Sequence, residues 1–271
     1  MFRVALATLF SVTLSAGSTF AAEVNVSGST SVARVMDVLA EEYNAKHPES
    51  FIAVQSIGST AGLTLVDKGV VEIGMSSRYL TEREQNETLI VLPLAFDGLA
   101  VVVNKANNVA DITREQLYKI YKGELTNWKE LGGADQEIAV VTREASSGSR
   151  YSFESMLGLT KVINDRLVSD ISNRNIVVNS NSMVKTLVNH NKQAIGFVSK
   201  GSVDKSIRAL TFEGTQATSK NIASGDYTLY RPFLVVYKQE NISDEAQGFL
   251  RYLKTDEAKH LIKEYGYTPV K

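Results

Sequence analysis

Residues 138–157, IAVVTREASSGSRYSFESML, place a polar, glycine-containing turn between an apolar run and a helical pattern. The run 138–142 is rich in valine and isoleucine and predicts a β-strand, whereas residues 150–157 have the spacing of a helix. The turn between them, residues 143–150, carries two arginines, three serines and a glycine. A strand that feeds a helix through such a turn is the building unit of an α/β protein.

Three other polar segments stand at predicted strand-to-helix turns. We number the four in chain order: the first segment is 28–31 (GSTS), the second 58–62 (GSTAG), the third 74–78 (GMSSR) and the fourth 143–150 (REASSGSR). Ligands of open α/β sheets bind beyond the carboxyl ends of the strands, and a helix N-terminus favours an anion. Helix capping alone explains any one segment. Four of them in one chain predict an oxyanion site.

The alternation of strands and helices predicts an α/β fold with mainly parallel central sheets flanked by helices. No low-complexity linker separates the two halves of the sequence. We therefore expect two lobes joined by two extended crossovers. The first lobe is discontinuous and contains residues 22–102 and 208–271, and the second contains residues 103–207. Such lobes can close over a ligand like a hinge.

Local patterns predict further elements that the structure can test. Residues 81–86 are predicted as a polar helical piece, and residues 89–94 and 98–103 as two separate strands. Residues 244–265 show a continuous amphipathic pattern, which predicts one long C-terminal helix.

The N-terminus has the pattern of a secretory signal peptide. Arg3 is followed by an apolar run over residues 4–14 and then by small residues, with cleavage expected after Ala21. The apolar run has about 11 residues, against roughly 20 for a membrane-spanning helix. We therefore expect residues 1–21 to be removed and the mature protein to be periplasmic.

Composition excludes several classes of function. A formal net charge of −1 argues against nucleic acid as a partner, and the absence of cysteine excludes disulfides and thiolate metal sites. His47, His190 and His260 lie far apart, so we expect no metal site. The glycine-rich motifs of P-loop and dinucleotide-binding proteins are absent, and no cofactor is expected.

The four segments, in this order and spacing, resemble those of the phosphate-binding proteins that serve ABC-type phosphate transporters. The R-x-x-x-S-G-[ST] element at residues 143–149 is the most specific motif. The resemblance covers essentially the whole mature chain, including residues 93–104 (PLAFDGLAVVVN) and 179–200 (NSNSMVKTLVNHNKQAIGFVSK). It implies a type II periplasmic-binding-protein fold, inorganic phosphate held between two lobes, and delivery to an ABC transporter membrane permease. We expect a monomer.

The resemblance also implies ligand contacts in all four segments. The residues it assigns to phosphate binding are Thr30, Ser31, Ser59, Ser77, Arg143, Ser147, Gly148 and Ser149. A guanidinium such as that of Arg143 can give two parallel, charge-assisted hydrogen bonds to an anion. The alternative for Arg143 is an ion pair with Glu144 or another neighbour, and Arg150 is expected to brace the turn.

The third segment departs from the family pattern. The best-known members place a carboxylate where this chain has Ser77. Near neutral pH, phosphate still carries a proton and sulfate does not, so a buried carboxylate that accepts this proton favours phosphate. A serine hydroxyl both accepts and donates, so it discriminates less against sulfate. Asp97, in a predicted turn at residues 96–98, is a second candidate acceptor, although a turn carboxylate more often bonds local amides. Another oxyanion such as sulfate, and a role in adhesion or signalling, stay open as alternatives.

An enzymatic function is the remaining alternative. Ser147 or Ser77 would serve as the nucleophile of a hydrolase, which needs a base within hydrogen-bond reach. Ser147 lies in S-S-G-S instead of a G-x-S-x-G elbow, and no histidine is near any of the four segments in sequence. We expect a binding protein and not an enzyme.

Overall fold

The computed structural model describes residues 21–164 and 166–270. Apart from Ala21, the predicted signal peptide lies outside these residues. Among the described helices, none combines the length and the apolar character that crossing a bilayer demands.

The chain alternates strands with helices from its first described element. The strands are β1 (Ala22–Gly28), β2 (Ser50–Ser56), β3 (Ile73–Ser76), β4 (Leu89–Val103), β5 (Asp111–Ile112), β6 (Ala139–Arg143), β7 (Thr160–Ile163), β8 (Arg166–Ser169), β9 (Ile176–Val178), β10 (Ala194–Ser199), β11 (Arg208–Ala209), β12 (Thr211–Phe212), β13 (Tyr230–Lys238) and β14 (Thr268–Pro269). The helices are α1 (Thr30–Lys46), α2 (Ser59–Asp67), α3 (Arg114–Lys122), α4 (Gly148–Leu157), α5 (Asn181–His190), α6 (Ser219–Ser224), α7 (Asp244–Tyr252) and α8 (Asp256–Glu264). The predicted α/β class is confirmed.

The main sheet has the strand order β2-β1-β3-β13-β4-β10-β6-β9. Pairing is parallel at both ends, where β1 lies between β2 and β3 and where β6 lies between β10 and β9. It is antiparallel in the middle, where β13 pairs with β3 and β4, and β4 pairs with β10. The sheet is therefore mixed, and its two parallel ends carry the strand-to-helix turns that the sequence singles out.

The long strand β4 links the two ends of the sheet. Residues 89–98 pair with β13, and residues 99–103 pair with β10. The prediction of two separate strands at 89–94 and 98–103 was therefore wrong. Pairing of Asp97 with Arg231 and of Gly98 with Tyr230 carries the strand through the predicted turn.

Two large hydrophobic clusters flank this strand. The first packs α1, α7 and α8 against β1 and β3 and includes Leu39, Phe249 and Phe233. The second surrounds Phe153 and Phe197 and includes the β4 residues Leu99 to Val103 at alternate positions. Because successive strand residues face opposite sides, Ala100 and Val102 contribute instead to a smaller cluster on the other face.

The predicted lobe boundaries stay a prediction. Burial shows where the chain changes cluster: Leu210, Phe212 and Leu229 pack in the second cluster, and Phe233 packs in the first. This packing favours a second crossover near residue 230, at the start of β13, over the predicted position near residue 207.

Two local predictions were wrong. The C-terminal segment forms two helices, because Thr255 caps α8 by accepting a hydrogen bond from the backbone N–H of Ala258. Residues 81–86 form turns and no helix, since the Glu84 carboxylate accepts hydrogen bonds from the backbone and hydroxyl of Thr81. In both places a side chain satisfies backbone groups that a continuing helix would use.

Candidate functional site

All four polar segments lie where a strand ends, and three of them open a helix. Ser29 caps α1 and Ser147 caps α4 through their hydroxyls, whereas Gly58 precedes α2 with a φ of +92° that side chains rarely adopt. The third segment follows β3. Each opening turn leaves backbone N–H groups without helical partners, and these groups carry a partial positive charge.

The first and fourth segments are in direct contact. Arg143 Nη2 donates to Thr30 Oγ1 at 3.0 Å, and the hydroxyls of Ser31 and Ser149 lie 3.0 Å apart. These contacts join residues more than one hundred positions apart in sequence. The structure therefore brings the openings of α1 and α4 together.

The second and third segments meet the fourth from another side. Ser59 Oγ lies 3.4 Å from Ser77 Oγ and accepts a hydrogen bond from the backbone N–H of Ser77. A Cβ placed on Gly148 would lie 2.2 Å from Ser59 Oγ and 2.7 Å from Ser77 Oγ. Glycine at position 148 is what allows the turn of the fourth segment to approach these two hydroxyls.

The eight predicted contact residues therefore form one cluster, which is mostly buried. Thr30 is partly exposed, and the other seven are buried. The Ser147 hydroxyl is engaged locally, accepting from the backbone N–H of Arg150.

Arg143 supplies the positive charge of the cluster. Its Nε and Nη2 each donate to the Glu144 carboxylate at 2.9 Å, so the ion pair considered from sequence is present. The remaining nitrogen, Nη1, is buried and has no hydrogen-bond partner among the described residues. A buried donor without a partner is rare in proteins. Glu144 thus fixes one edge of the guanidinium and leaves another donor for a ligand.

Arg150 braces the fourth segment, as predicted. Its Nη1 donates to the backbone carbonyl of Arg143 at 2.9 Å, and its Nε donates to Glu154 at 2.6 Å. Burial raises the pKa of the Glu154 carboxyl, and the charge of Arg150 opposes that rise. Arg150 Nη2 donates to Ser169 Oγ, so all three guanidinium nitrogens of Arg150 have protein partners.

Asp97 does not bond local amides, so the interpretation as a turn carboxylate was wrong. It lies inside β4, fully buried, and its Oδ2 accepts from Nε and Nη2 of Arg231 at 3.2 and 3.0 Å. Its Oδ1 accepts from Ser199 Oγ and from the backbone N–H of Lys200. Burial raises the pKa of the Asp97 carboxyl, and the nearby guanidinium opposes that rise.

Arg231 and Asn181 also touch the cluster, and sequence reasoning selected neither of them. Arg231 Nη1 donates to Ser149 Oγ at 2.6 Å and to the Ser77 carbonyl at 3.3 Å. Asn181 Nδ2 donates to Ser31 Oγ at 3.0 Å. A signal for Arg231 was present, since a single arginine opens the otherwise apolar run RPFLVVY. Its partner in β4 could not be read from that pattern.

The hydroxyl partners of Ser77 and Ser147 bear on the alternative of a hydrolase. Within residues 21–164 and 166–270, neither Ser77 nor Ser147 has a histidine or a carboxylate as a hydroxyl partner. The same residues contain no group of three or more histidine, aspartate or glutamate side chains that could hold a metal ion. The arrangement offers hydroxyl, amide and guanidinium donors, which suit an anion.

The chain is similar to known proteins along most of its length. The family model described as the PBP superfamily domain matches residues 14–257. The phosphate-binding protein PstS of Bacillus subtilis (strain 168) is 32% identical over 253 residues, which cover 90% of this chain and 80% of that protein. PstS of Borreliella burgdorferi is 27% identical over 92% of this chain and 90% of that protein.

Two solved structures agree with this relationship. An ABC-type phosphate transport receptor from Vibrio cholerae is 61% identical, with a TM-score of 0.77, over 90% of this chain and 99% of that one. A putative phosphate ABC transporter substrate-binding protein from Clostridium perfringens, with bound phosphate, is 37% identical, with a TM-score of 0.86, over 92% of this chain and 100% of that one. By sequence and by fold, this chain belongs to the PBP superfamily and, within it, to the PstS-type phosphate-binding proteins.

Proposed function

We propose that this protein captures inorganic phosphate at the cluster formed by the four polar segments and delivers it to an ABC-type membrane importer. One observation carries the proposal: turns at four separate strand ends meet in one mostly buried cluster that contains the guanidinium of Arg143. Hydroxyls, helix-opening amides and one charge can together replace the water around a tetrahedral anion. The relatives and solved structures named above, which are phosphate-binding and phosphate-transport proteins, support the same ligand.

Each segment has a role in this proposal. Thr30 and Ser31 present donors from the opening of α1, and Ser59 does so from the opening of α2. Arg143 offers Nη1, which has no described partner, and Ser147, Gly148 and Ser149 surround the opening of α4. Ser77 accepts the proton that phosphate carries, because its hydroxyl receives no hydrogen bond from any described group that can only donate.

The setting of the protein follows from the same proposal. A binding protein that serves an importer works outside the cytoplasm, in agreement with the signal peptide predicted at residues 1–21. We propose a periplasmic, monomeric protein that meets its permease while loaded and catalyses no reaction. The hydroxyl contacts of Ser77 and Ser147 support the absence of hydrolysis, since neither involves a described group that could act as a base.

Titration calorimetry of the mature protein with phosphate and with sulfate tests the ligand. We expect tight phosphate binding, weaker sulfate binding, and no release of product from a chromogenic phosphate ester. A preference for sulfate, or no binding of either anion, would contradict the proposal. Anions released on denaturation and identified by mass spectrometry would separate phosphate from another natural oxyanion.

The role of Arg143 is tested by Arg143→Ala. Losing charge-assisted hydrogen bonds to a buried anion should weaken phosphate binding by about 100-fold or more. Arg251→Ala, which removes an exposed arginine of α7, is the matched control and should bind normally. Unchanged affinity of the Arg143 variant would remove that residue from the site.

A further inference from the structure

Four buried polar residues form a hydrogen-bonded group next to the proposed phosphate site, and two of them contact its serines. We name Asp97, Asn181, Ser199 and Arg231 the rear network. They come from β4, the opening of α5, the end of β10 and the start of β13, and each is at least nine-tenths buried. Such a group of buried polar side chains costs free energy unless its hydrogen bonds are satisfied.

The network is continuous through hydrogen bonds. Arg231 donates twice to Asp97 Oδ2, and Asp97 Oδ1 accepts from the Ser199 hydroxyl at 3.0 Å. The backbone N–H of Ser199 donates in turn to Asn181 Oδ1 at 3.2 Å. Its two ends are Arg231, which reaches Ser149, and Asn181, which reaches Ser31.

The groups on each side fix which atom donates in the hydrogen bond between Arg231 and Ser149. A guanidinium has only donors, so Ser149 Oγ must accept from Arg231 Nη1. The single hydroxyl proton of Ser149 is then directed away from Arg231, toward Ser31 Oγ or an oxygen of the ligand. Arg231 thereby turns an adaptable hydroxyl into a donor that faces the site.

The direction of the hydrogen bond between Asn181 and Ser31 is fixed in the same way. The amide of Asn181 has one orientation, because its Oδ1 accepts from a backbone N–H that can only donate. Its Nδ2 therefore faces Ser31 and donates to Ser31 Oγ. The Ser31 proton is left for Ser149 or for the ligand, and the two hydroxyls lie 3.0 Å apart.

We infer that the rear network positions the hydroxyls of Ser31 and Ser149 as paired donors to the bound anion, with Arg231 and Asn181 as the positioning residues. This inference rests on the proposed function, since it assigns a task within the same site. None of the four residues has to touch the ligand. Their effect on affinity passes through the two serines, which is the property that an experiment can isolate.

A simpler role would be to hold β13 against β4, since Arg231 and Asp97 are paired across these strands. That role stabilises the fold and is indifferent to the hydroxyl of Ser149. The two roles differ in whether the effect of Arg231 on phosphate affinity depends on Ser149. A double-mutant cycle measures this dependence.

The cycle combines Ser149→Ala with the paired change Arg231→Met and Asp97→Asn. The paired change removes one positive and one negative charge together, so no unpaired buried charge is created, and asparagine still offers an oxygen to the backbone of Lys200. Phosphate affinity is measured by calorimetry, and stability is measured in parallel by urea unfolding. Lys254→Met, at an exposed position, is the control.

With Ser149 present, the paired change should weaken phosphate binding by about tenfold. In the Ser149→Ala background it should weaken binding by less than about twofold, because the hydroxyl it orients is gone. Equal losses in both backgrounds would overturn the inference while leaving the proposed function intact. Wild-type protein that fails to bind phosphate would overturn both.

A second cycle pairs Asn181→Leu with Ser31→Ala and is read in the same way.

Arg231→Lys provides a folded variant for the first cycle if the paired change prevents folding. Lysine keeps a donor and the charge but has no planar fork, so we expect Arg231→Lys to weaken phosphate binding by about tenfold when Ser149 is present. The inference is supported if Arg231→Lys causes no further loss of affinity in the Ser149→Ala background. Affinity equal to wild type in Arg231→Lys would contradict a positioning role for the guanidinium.

Discussion

Gly148 shows how one missing side chain sets the geometry of the cluster. Its neighbours Ser59 Oγ and Ser77 Oγ would lie 2.2 and 2.7 Å from an added Cβ, closer than atoms pack in proteins. Gly148→Ala should therefore push the opening of α4 away from the second and third segments. We expect about tenfold or greater loss of phosphate affinity, measured by calorimetry, because overpacking of this kind costs about 1–3 kcal/mol.

Gly158→Ala is the matched control for that variant. Gly158 ends the same helix with a φ of +74°, and an added Cβ would meet nothing within 4 Å. Alanine there strains the backbone, lowering the free energy of unfolding by about 1 kcal/mol, and should leave phosphate affinity unchanged. Normal affinity in Gly148→Ala would mean that the closeness seen in the structure is unnecessary for binding.

At the scale of elements, the turn after β3 depends on one ion pair. Arg78 is buried and donates to both carboxylate oxygens of Glu84 at 2.6 Å, while its guanidinium lies 5.0 Å from the ring of Tyr151. Burial raises the pKa of Glu84, but the hydrogen bonds from Arg78 and Thr81 outweigh burial and leave this pKa below its usual range. The carboxylate thus holds the third segment in place.

This pKa shift predicts how stability depends on pH. A carboxyl whose pKa is depressed on folding stabilises the protein fully above its ordinary pKa and loses that contribution as the pH falls through the folded value. Glu84→Gln should lower the free energy of unfolding by about 2 kcal/mol at pH 7, less than for a fully buried pair because Glu84 is partly exposed. The difference from wild type should shrink below about pH 4.

Urea unfolding at several pH values measures this effect. Glu82→Gln, two positions away on the exposed side of the same turn, is the control and should differ little from wild type at any pH. A constant difference between Glu84→Gln and wild type from pH 7 to pH 3 would show that the charge of Glu84 is not what stabilises the turn.

The elements also show what could be predicted from sequence. The four turns at strand ends, three of which open a helix, were recognisable because glycine, serine and threonine mark such turns locally. The break at Thr255 was missed although a threonine before Asp256 and Glu257 is a capping pattern, since the amphipathic period continues across it. The capping residue therefore decided where α8 begins, although the hydrophobic period continues across the break.

Other features could not be predicted because they depend on distant pairing. Asp97 meets Arg231 only because β13 lies beside β4, and 134 positions separate the two residues. Pairing with β13 also makes residues 96–98 part of a strand, although the sequence pattern predicted a turn there. The rear network was invisible for this reason, whereas the cluster next to it was predicted from the turns that form it.

At the scale of the whole molecule, ligand binding should raise thermal stability. Phosphate at 100 times its dissociation constant stabilises the folded state by about 2.7 kcal/mol if it binds only that state. For a chain of this size the midpoint of unfolding should rise by about 5–10 °C. Scanning calorimetry with phosphate, and with sulfate at the same concentration, measures the shift.

Arg143→Ala is the matched control for the thermal experiment. It should show almost no shift at that phosphate concentration, because its affinity is reduced. A rise of the same size in wild type and in this variant would indicate a general salt effect instead of a specific site.

The position of β13 in the sheet has a consequence for how the protein is made. This strand lies between β3 and β4, yet it is synthesised long after both of them. A nascent chain that has not reached Lys238 leaves facing edges of β3 and β4 without a partner, and the first hydrophobic cluster lacks Phe233. Completion of the sheet therefore has to wait for the last part of the polypeptide to emerge from the ribosome.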